Sequence, residues 1–221
     1  LMIGRRRLDD AQLPTASSGL VSFGGLGLIW IGWLALAGGS ALTASDLGAG
    51  SAIINTHLSA AIAALVWAAL DRRKLGAATP SGFALGAIAG LVAVSSGAGS
   101  IGPLGALFTG VIAAILCRYM YAIVRDKLAI DDVMGVFALH GMGALLGALL
   151  TAILSASAFD GVGYAPDAGM ASQLLIQLVA IAAITAWTAA ATLILGYAIS
   201  AGLPMRVTSE IEERGMNITA A

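Results

Sequence analysis

Six apolar runs, near residues 19–42, 47–70, 81–98, 103–124, 133–156 and 172–201, organise this sequence, with charged or Gly/Pro/Ser-rich breaks between them. Each approaches the roughly 20 residues a helix needs to cross about 30 Å of hydrocarbon, although the third is short and the last is long. Lipid cannot hydrogen-bond an open backbone, so runs of this kind span as helices. Composition agrees. Of 221 residues 59% are apolar and 10% are charged, whereas soluble domains average about 25% charged. The expectation is an all-α polytopic membrane protein of six transmembrane helices over 19–204, with a loop 1–18 before it and a polar tail 205–221 after it.

The 11 Lys and Arg residues orient these spans. Arg5, Arg6 and Arg7 precede the first run, and Arg72, Arg73 and Lys74 separate the second from the third. Arg118, Arg125 and Lys127 close the fourth, while Arg206 and Arg214 follow the sixth. Placing loop and tail in the cytoplasm puts all of them on one side, as the positive-inside tendency favours. The opposite connections, 43–46, 95–100 and 155–171, carry none. This predicts a multi-pass protein of the inner cell membrane with both ends cytoplasmic. The sequence opens Leu1-Met2-Ile3 with no initiator methionine, which reads as a piece of a longer chain. In the tail, Glu210, Glu212 and Glu213 suit the solvated face of a short helix.

Small residues set how the spans meet. Gly82, Gly86 and Gly90 recur every four residues, and Gly143 and Gly147 repeat the spacing, which lets helix backbones approach closely. Residues 131–155 carry the sharpest functional signal. Asp131 and Asp132 open the stretch at the positive end of a helix, and mostly apolar residues then carry His140 into the bilayer. An imidazole there faces a cavity, a pathway or a partner, and Gly141, Gly143 and Gly147 clear side chains from its neighbourhood. His57 follows Asn55 and Thr56, which point in different directions on a helix and form no ligand cluster. The single Cys117 excludes an internal disulfide. Two histidines without a nearby carboxylate make a poor metal site, and no nucleophile triad or phosphate-cradling loop is present. No enzyme chemistry, cofactor or nucleic-acid partner is implied. Ser40, after Gly38 and Gly39, either accepts a hydrogen bond at a pore mouth or bonds to a neighbouring helix.

The stretch Gly32-Trp33-Leu34-Ala35-Leu36-Ala37-Gly38-Gly39-Ser40 resembles the sixth helix of the ammonium transporter (Amt/Mep/Rh) family. Asn55-Thr56 resembles its seventh helix and Gly86-Ala87-Ile88-Ala89-Gly90 its eighth. Asp131-Asp132 through Val136-Phe137-Ala138-Leu139-His140-Gly141 resembles the signature of the tenth. Gln173 to Gln177 and Glu213-Arg214-Gly215-Met216-Asn217 resemble the eleventh helix and the tail.

The resemblance implies the second inverted repeat plus the final helix of an eleven-helix fold, assembled as a homotrimer with one narrow apolar pore per protomer. Under it His140 is one of two mid-membrane pore histidines, Ser40 holds ammonium at the outer vestibule, and Leu36 takes the place of a gating phenylalanine. Trp33 matches the tryptophan of the same motif, and His57 matches no pore position, which leaves it a helix contact. The N-terminal half, with the other histidine, would be missing. Ammonium or ammonia is the implied cargo, the lipid bilayer the setting, and a PII-type signal protein a possible partner at the cytoplasmic face. Leu36 and Ala37 depart from the motif and imply looser outer gating. Gly135 stands where the motif has aspartate, which implies a weaker helix cap. A transporter-derived ammonium sensor and a non-conducting membrane subunit are the competing readings.

Overall fold

The computed structural model describes residues 4, 19–42, 47–128, 130–132 and 134–214. Arg5, Arg6 and Arg7, the connection 43–46, and the tail residues Gly215, Met216 and Asn217 lie outside the described residues. The described residues are helical and contain no strand. In order they form α1 (Gly19–Gly39), α2 (Leu47–Leu75), α3 (Pro80–Val94), α4 (Pro103–Ala122), α5 (Met142–Leu154), α6 (Met170–Ser200) and α7 (Ser209–Arg214). A π turn, Ile123–Lys127, prolongs α4, and another, Phe137–Gly141, leads into α5. By length and apolar composition α2, α4, α6 and the joined 137–154 segment can cross a membrane, while α1 and α3 supply shorter apolar helices.

The helix ends depart from the apolar runs for local reasons. α2 runs on through Arg72, Arg73 and Lys74, because cations suit the negative end of a helix. α3 starts at Pro80, where Thr79 accepts the Gly82 N–H at 2.9 Å. It stops at Val94, four residues short of the apolar run, as Ser95-Ser96-Gly97-Ala98 turn away from the helix. Serine and glycine are weak helix formers. Ala98 and Ile101, just beyond the helix, are buried, where unpaired carbonyls are costly. Asn55 of α2 supplies the donors, its Nδ2 reaching the carbonyls of Ala98 at 2.8 Å and Ile101 at 2.7 Å.

α2 is the central post. A Cβ on Gly90 of α3 would strike the Ser59 carbonyl of α2, and a Cβ on Gly110 of α4 would strike the same atom. Both helices therefore close on one turn of α2, and the Ser59 hydroxyl donates to the Gly90 carbonyl at 2.9 Å. Gly86 meets Trp67 and Ala63 in the same seam. At the basic end the buried carboxylate of Asp71 accepts from Arg118 Nε at 3.0 Å and from the Thr79 hydroxyl at 2.7 Å, joining α2, α4 and the entry to α3. α6 rests against α5 and buries none of its own residues.

The entry to the 137–154 helix corrects one expectation. Asp132 caps it, accepting the N–H groups of Val136 at 2.7 Å and Phe137 at 2.9 Å. Gly135 does not weaken this cap. It holds φ +67°, a conformation open to glycine at little cost, and turns the chain back toward Asp132. A Cβ there would also lie 2.8 Å from the Tyr121 ring. Gly135→Ala is expected to lower stability by roughly 1–2 kcal/mol, read as an earlier unfolding midpoint in detergent; an unchanged midpoint would show that the turn relaxes freely.

Candidate functional site

α1 divides its labour between two flanks. Leu26, Trp30 and Ala37 face the bundle, where Leu26 joins Ala64 and Ala87 in a buried cluster. Trp33, Leu36 and Ser40, spaced by three and four residues, follow the adjoining flank. Leu36 is 69% exposed and Ser40 is exposed as well.

Trp33 is held at both ends of its ring system. Its Nε1–H donates to the Ser95 hydroxyl at 2.8 Å, and Ser95 in turn donates to the Leu91 carbonyl at 2.6 Å. The indole lies 6.2 Å from the His140 ring, tilted by 31°, within the range at which aromatic rings attract. The chain thus brings α1, the end of α3 and the π turn before α5 to one place. Ser40 lies two turns further along α1, and its hydroxyl donates to the Ala37 carbonyl at 2.7 Å. Both oxygen lone pairs remain for an incoming donor.

The π turn decides where His140 looks. On an unbroken α-helix His140 would lie within about 60° of both Gly143 and Gly147. Those glycines are buried: Gly143 faces Val92 and Cys117, and Gly147 meets the Ala93 carbonyl. His140 is exposed. The wider turn at Phe137–Gly141 takes it off the seam, a recurring use of such turns at functional sites. The two glycines accordingly serve α3 and α4 rather than the space beside the imidazole.

His57 sits apart, its ring 5.5 Å from Trp30 and tilted by 46°. Asn55 and Thr56 beside it are fully buried while His57 is exposed, so the histidine does not share their side of the helix. Sequence reasoning missed Ser95, whose role depends on α3 stopping early; the Ser-Ser-Gly run was the available signal.

Comparisons with known proteins follow the same outline. The sequence profile described as Ammonium Transporter Family matches residues 1–220. The ammonium transporter of Aquifex aeolicus is 35% identical over 96% of this chain and 49% of its own length. Ammonium transporter Amt1 of Archaeoglobus fulgidus is 38% identical over 88% of this chain and 49% of its own. Among solved structures, one described as a sensor Amt protein matches with TM-score 0.86 and 25% identity, covering 100% of this chain and 55% of that one. Saccharomyces cerevisiae Mep2 matches at 0.80 and 29% identity, over 94% and 49%. The chain spans about half the length of the curated relatives it matches.

Proposed function

This chain belongs to the ammonium transporter family, and from that premise we propose that it forms one half of an ammonia-conducting pore, with His140 on the pathway and Trp33, Leu36 and Ser40 along its wall. The carrying observation is the exposed His140 imidazole set against Trp33, whose own N–H is already bound to Ser95.

An ammonium ion brings only donors, and the Ser40 hydroxyl, its proton directed at Ala37, offers an acceptor at the outer end of α1. A bare cation crosses hydrocarbon at high cost. The ion therefore gives its proton to solvent water at the mouth and crosses as ammonia. A neutral imidazole at His140 both accepts and donates a hydrogen bond, which suits a cargo that does the same. Leu36 narrows the mouth with an aliphatic side chain in place of a ring. The other half of a pore of this kind would come from the sequence that relatives carry beyond the matched region. Trimer assembly is in keeping with the exposed apolar flanks of α1 and α6, and the basic end is the cytoplasmic one under the positive-inside tendency, where a PII-type protein would dock.

The test is ammonium uptake by vesicles holding the full-length protein. His140→Ala is expected to lower uptake by roughly tenfold or more, with protein amount and detergent stability unchanged. Unaltered uptake would sink the pore assignment of His140. The likeness to a sensor Amt protein supports a second reading, ammonium sensing. Ammonium binding without uptake by the unaltered protein would favour it.

A further inference from the structure

A cavity that involves none of Trp33, Ser95 and His140 opens at the N-terminal end of α4. It has a volume of about 360 Å³ and is lined by Leu104, Gly105 and Phe108 of α4, Leu154 at the end of α5, and Phe159 and Asp160 of the connection that follows. Asp160 is the one ionisable side chain in this lining. Both rings are exposed, Phe108 at 53% and Phe159 at 47%. The Asp160 side chain is exposed too, and it makes no hydrogen bond or ion pair with a described residue. Its position is nonetheless fixed. The connection folds onto the turn before α4, the Val162 N–H donating to the Ser100 carbonyl at 3.0 Å and the Gly163 N–H to the Ser155 carbonyl at 2.8 Å. The Tyr164 hydroxyl donates to the Ala152 carbonyl at 2.6 Å, which ties the same connection to α5. Asp160 itself holds φ +59°, and a Cβ on Gly102 would lie 2.6 Å from the Asp160 Cβ.

We propose that this cavity binds an organic ammonium ion with an aromatic body, its cationic head at Asp160 and its body against Phe108, Phe159 and Leu104. Charge complementarity selects a cation: an unanswered carboxylate lines an otherwise apolar space, and aromatic ring faces attract cations as well. Size and lining select the body. The volume falls in the range of small-molecule pockets, which are mostly apolar with a few placed polar groups. Bare ammonium suits the space poorly, since its four donors would meet one acceptor side chain in place of a water shell. A second copy of this chain brings no cation to the same end. The connections opposite the basic end, 43–46, 95–100 and 155–171, hold no Lys or Arg. The assignment uses none of Trp33, Leu36, Ser40 and His140, so a failure of ammonium uptake leaves it standing.

The experiment is equilibrium dialysis of radiolabelled phenethylammonium against the full-length protein in phosphatidylcholine nanodiscs, with empty nanodiscs as the baseline. Saturable binding is expected, and D160N should bind roughly tenfold more weakly, the scale of one lost contact to a charged group. Asparagine tolerates the left-handed backbone as aspartate does, so D160N should keep the parent's helical circular dichroism. F159L, which removes the ring and keeps an apolar side chain, should weaken binding about threefold. Neither excess phenethyl alcohol nor ammonium chloride, set against sodium chloride of equal strength, should displace the label. Unchanged binding by D160N would overturn the proposal. So would displacement by phenethyl alcohol, which would show that the charge is not read, or by ammonium, which would move the ligand to the Trp33 and Ser40 flank. Absence of saturable binding, as when another part of the assembled protein covers the cavity, would overturn it as well.

Discussion

Gly90→Leu is expected to destabilise the bundle by about 3 kcal/mol or more, at the upper end of what overpacking does in a tight core. The reason is geometric. The position has no free volume: a first side-chain carbon would already reach the Ser59 carbonyl and lie 2.8 Å from both the Ala60 Cα and the Ala63 Cβ. Two of those neighbours are backbone atoms, which cannot rotate aside. α3 must therefore retreat from α2, and the Ser59–Gly90 hydrogen bond goes with it. Gly110→Leu should act alike from the α4 side, because it abuts the same carbonyl. The double variant should cost less than the sum of the singles, since one displaced turn of α2 relieves both. Detergent-to-SDS titration followed by circular dichroism reads this directly. A Gly90→Leu midpoint within error of the parent would mean that the helix seam is far softer than its distances imply.

Asn55 is the second sensitive point, for an electrostatic reason. Its amide answers the Ala98 and Ile101 carbonyls in a fully buried site. Asn55→Leu keeps the volume and removes both donors, so roughly 2–4 kcal/mol should be lost as two carbonyls go unsatisfied. Asn55→Asp should be worse, because it sets a charge against those same oxygens. The order Asn, Leu, Asp in SDS resistance is the checkable outcome. Aspartate tolerated as well as asparagine would show that the carbonyls find other donors. Under the proposed function, damage here should also reach transport, since the Ala98 carbonyl that Asn55 holds lies three residues past Ser95, the residue that fixes Trp33.

The helical architecture was legible because lipid leaves the chain few options: a run of about 20 apolar residues has one way to satisfy its backbone. The glycine spacing at 82, 86 and 90 was legible for a similar reason, and the structure puts Gly86 and Gly90 on the α2 seam as expected. Gly82 does something more particular, leaving room for the Asp71 carboxylate beside the α3 cap. What periodicity could not reveal are features set by a departure from regular helix. The approach of His140 to Trp33 depends on a π turn, and no spacing rule announces one. Gly135 was misread because a cap can come from three residues upstream; substituting at 135 leaves Asp132 in place. Ser95 escaped notice because it lay inside an apolar run that ends four residues early.

One extra residue in the turn at Phe137–Gly141 has a wider effect than aiming a ring. It breaks the phase between the chain on either side, so the side that meets α3 and the side that meets Trp33 answer to separate constraints. Drift at Gly143 or Gly147 would be felt as loosened packing, drift at Phe137 or His140 as an altered approach to Trp33, and neither need compensate the other. A single stretch of chain can thereby vary what its exposed ring meets without renegotiating its scaffold.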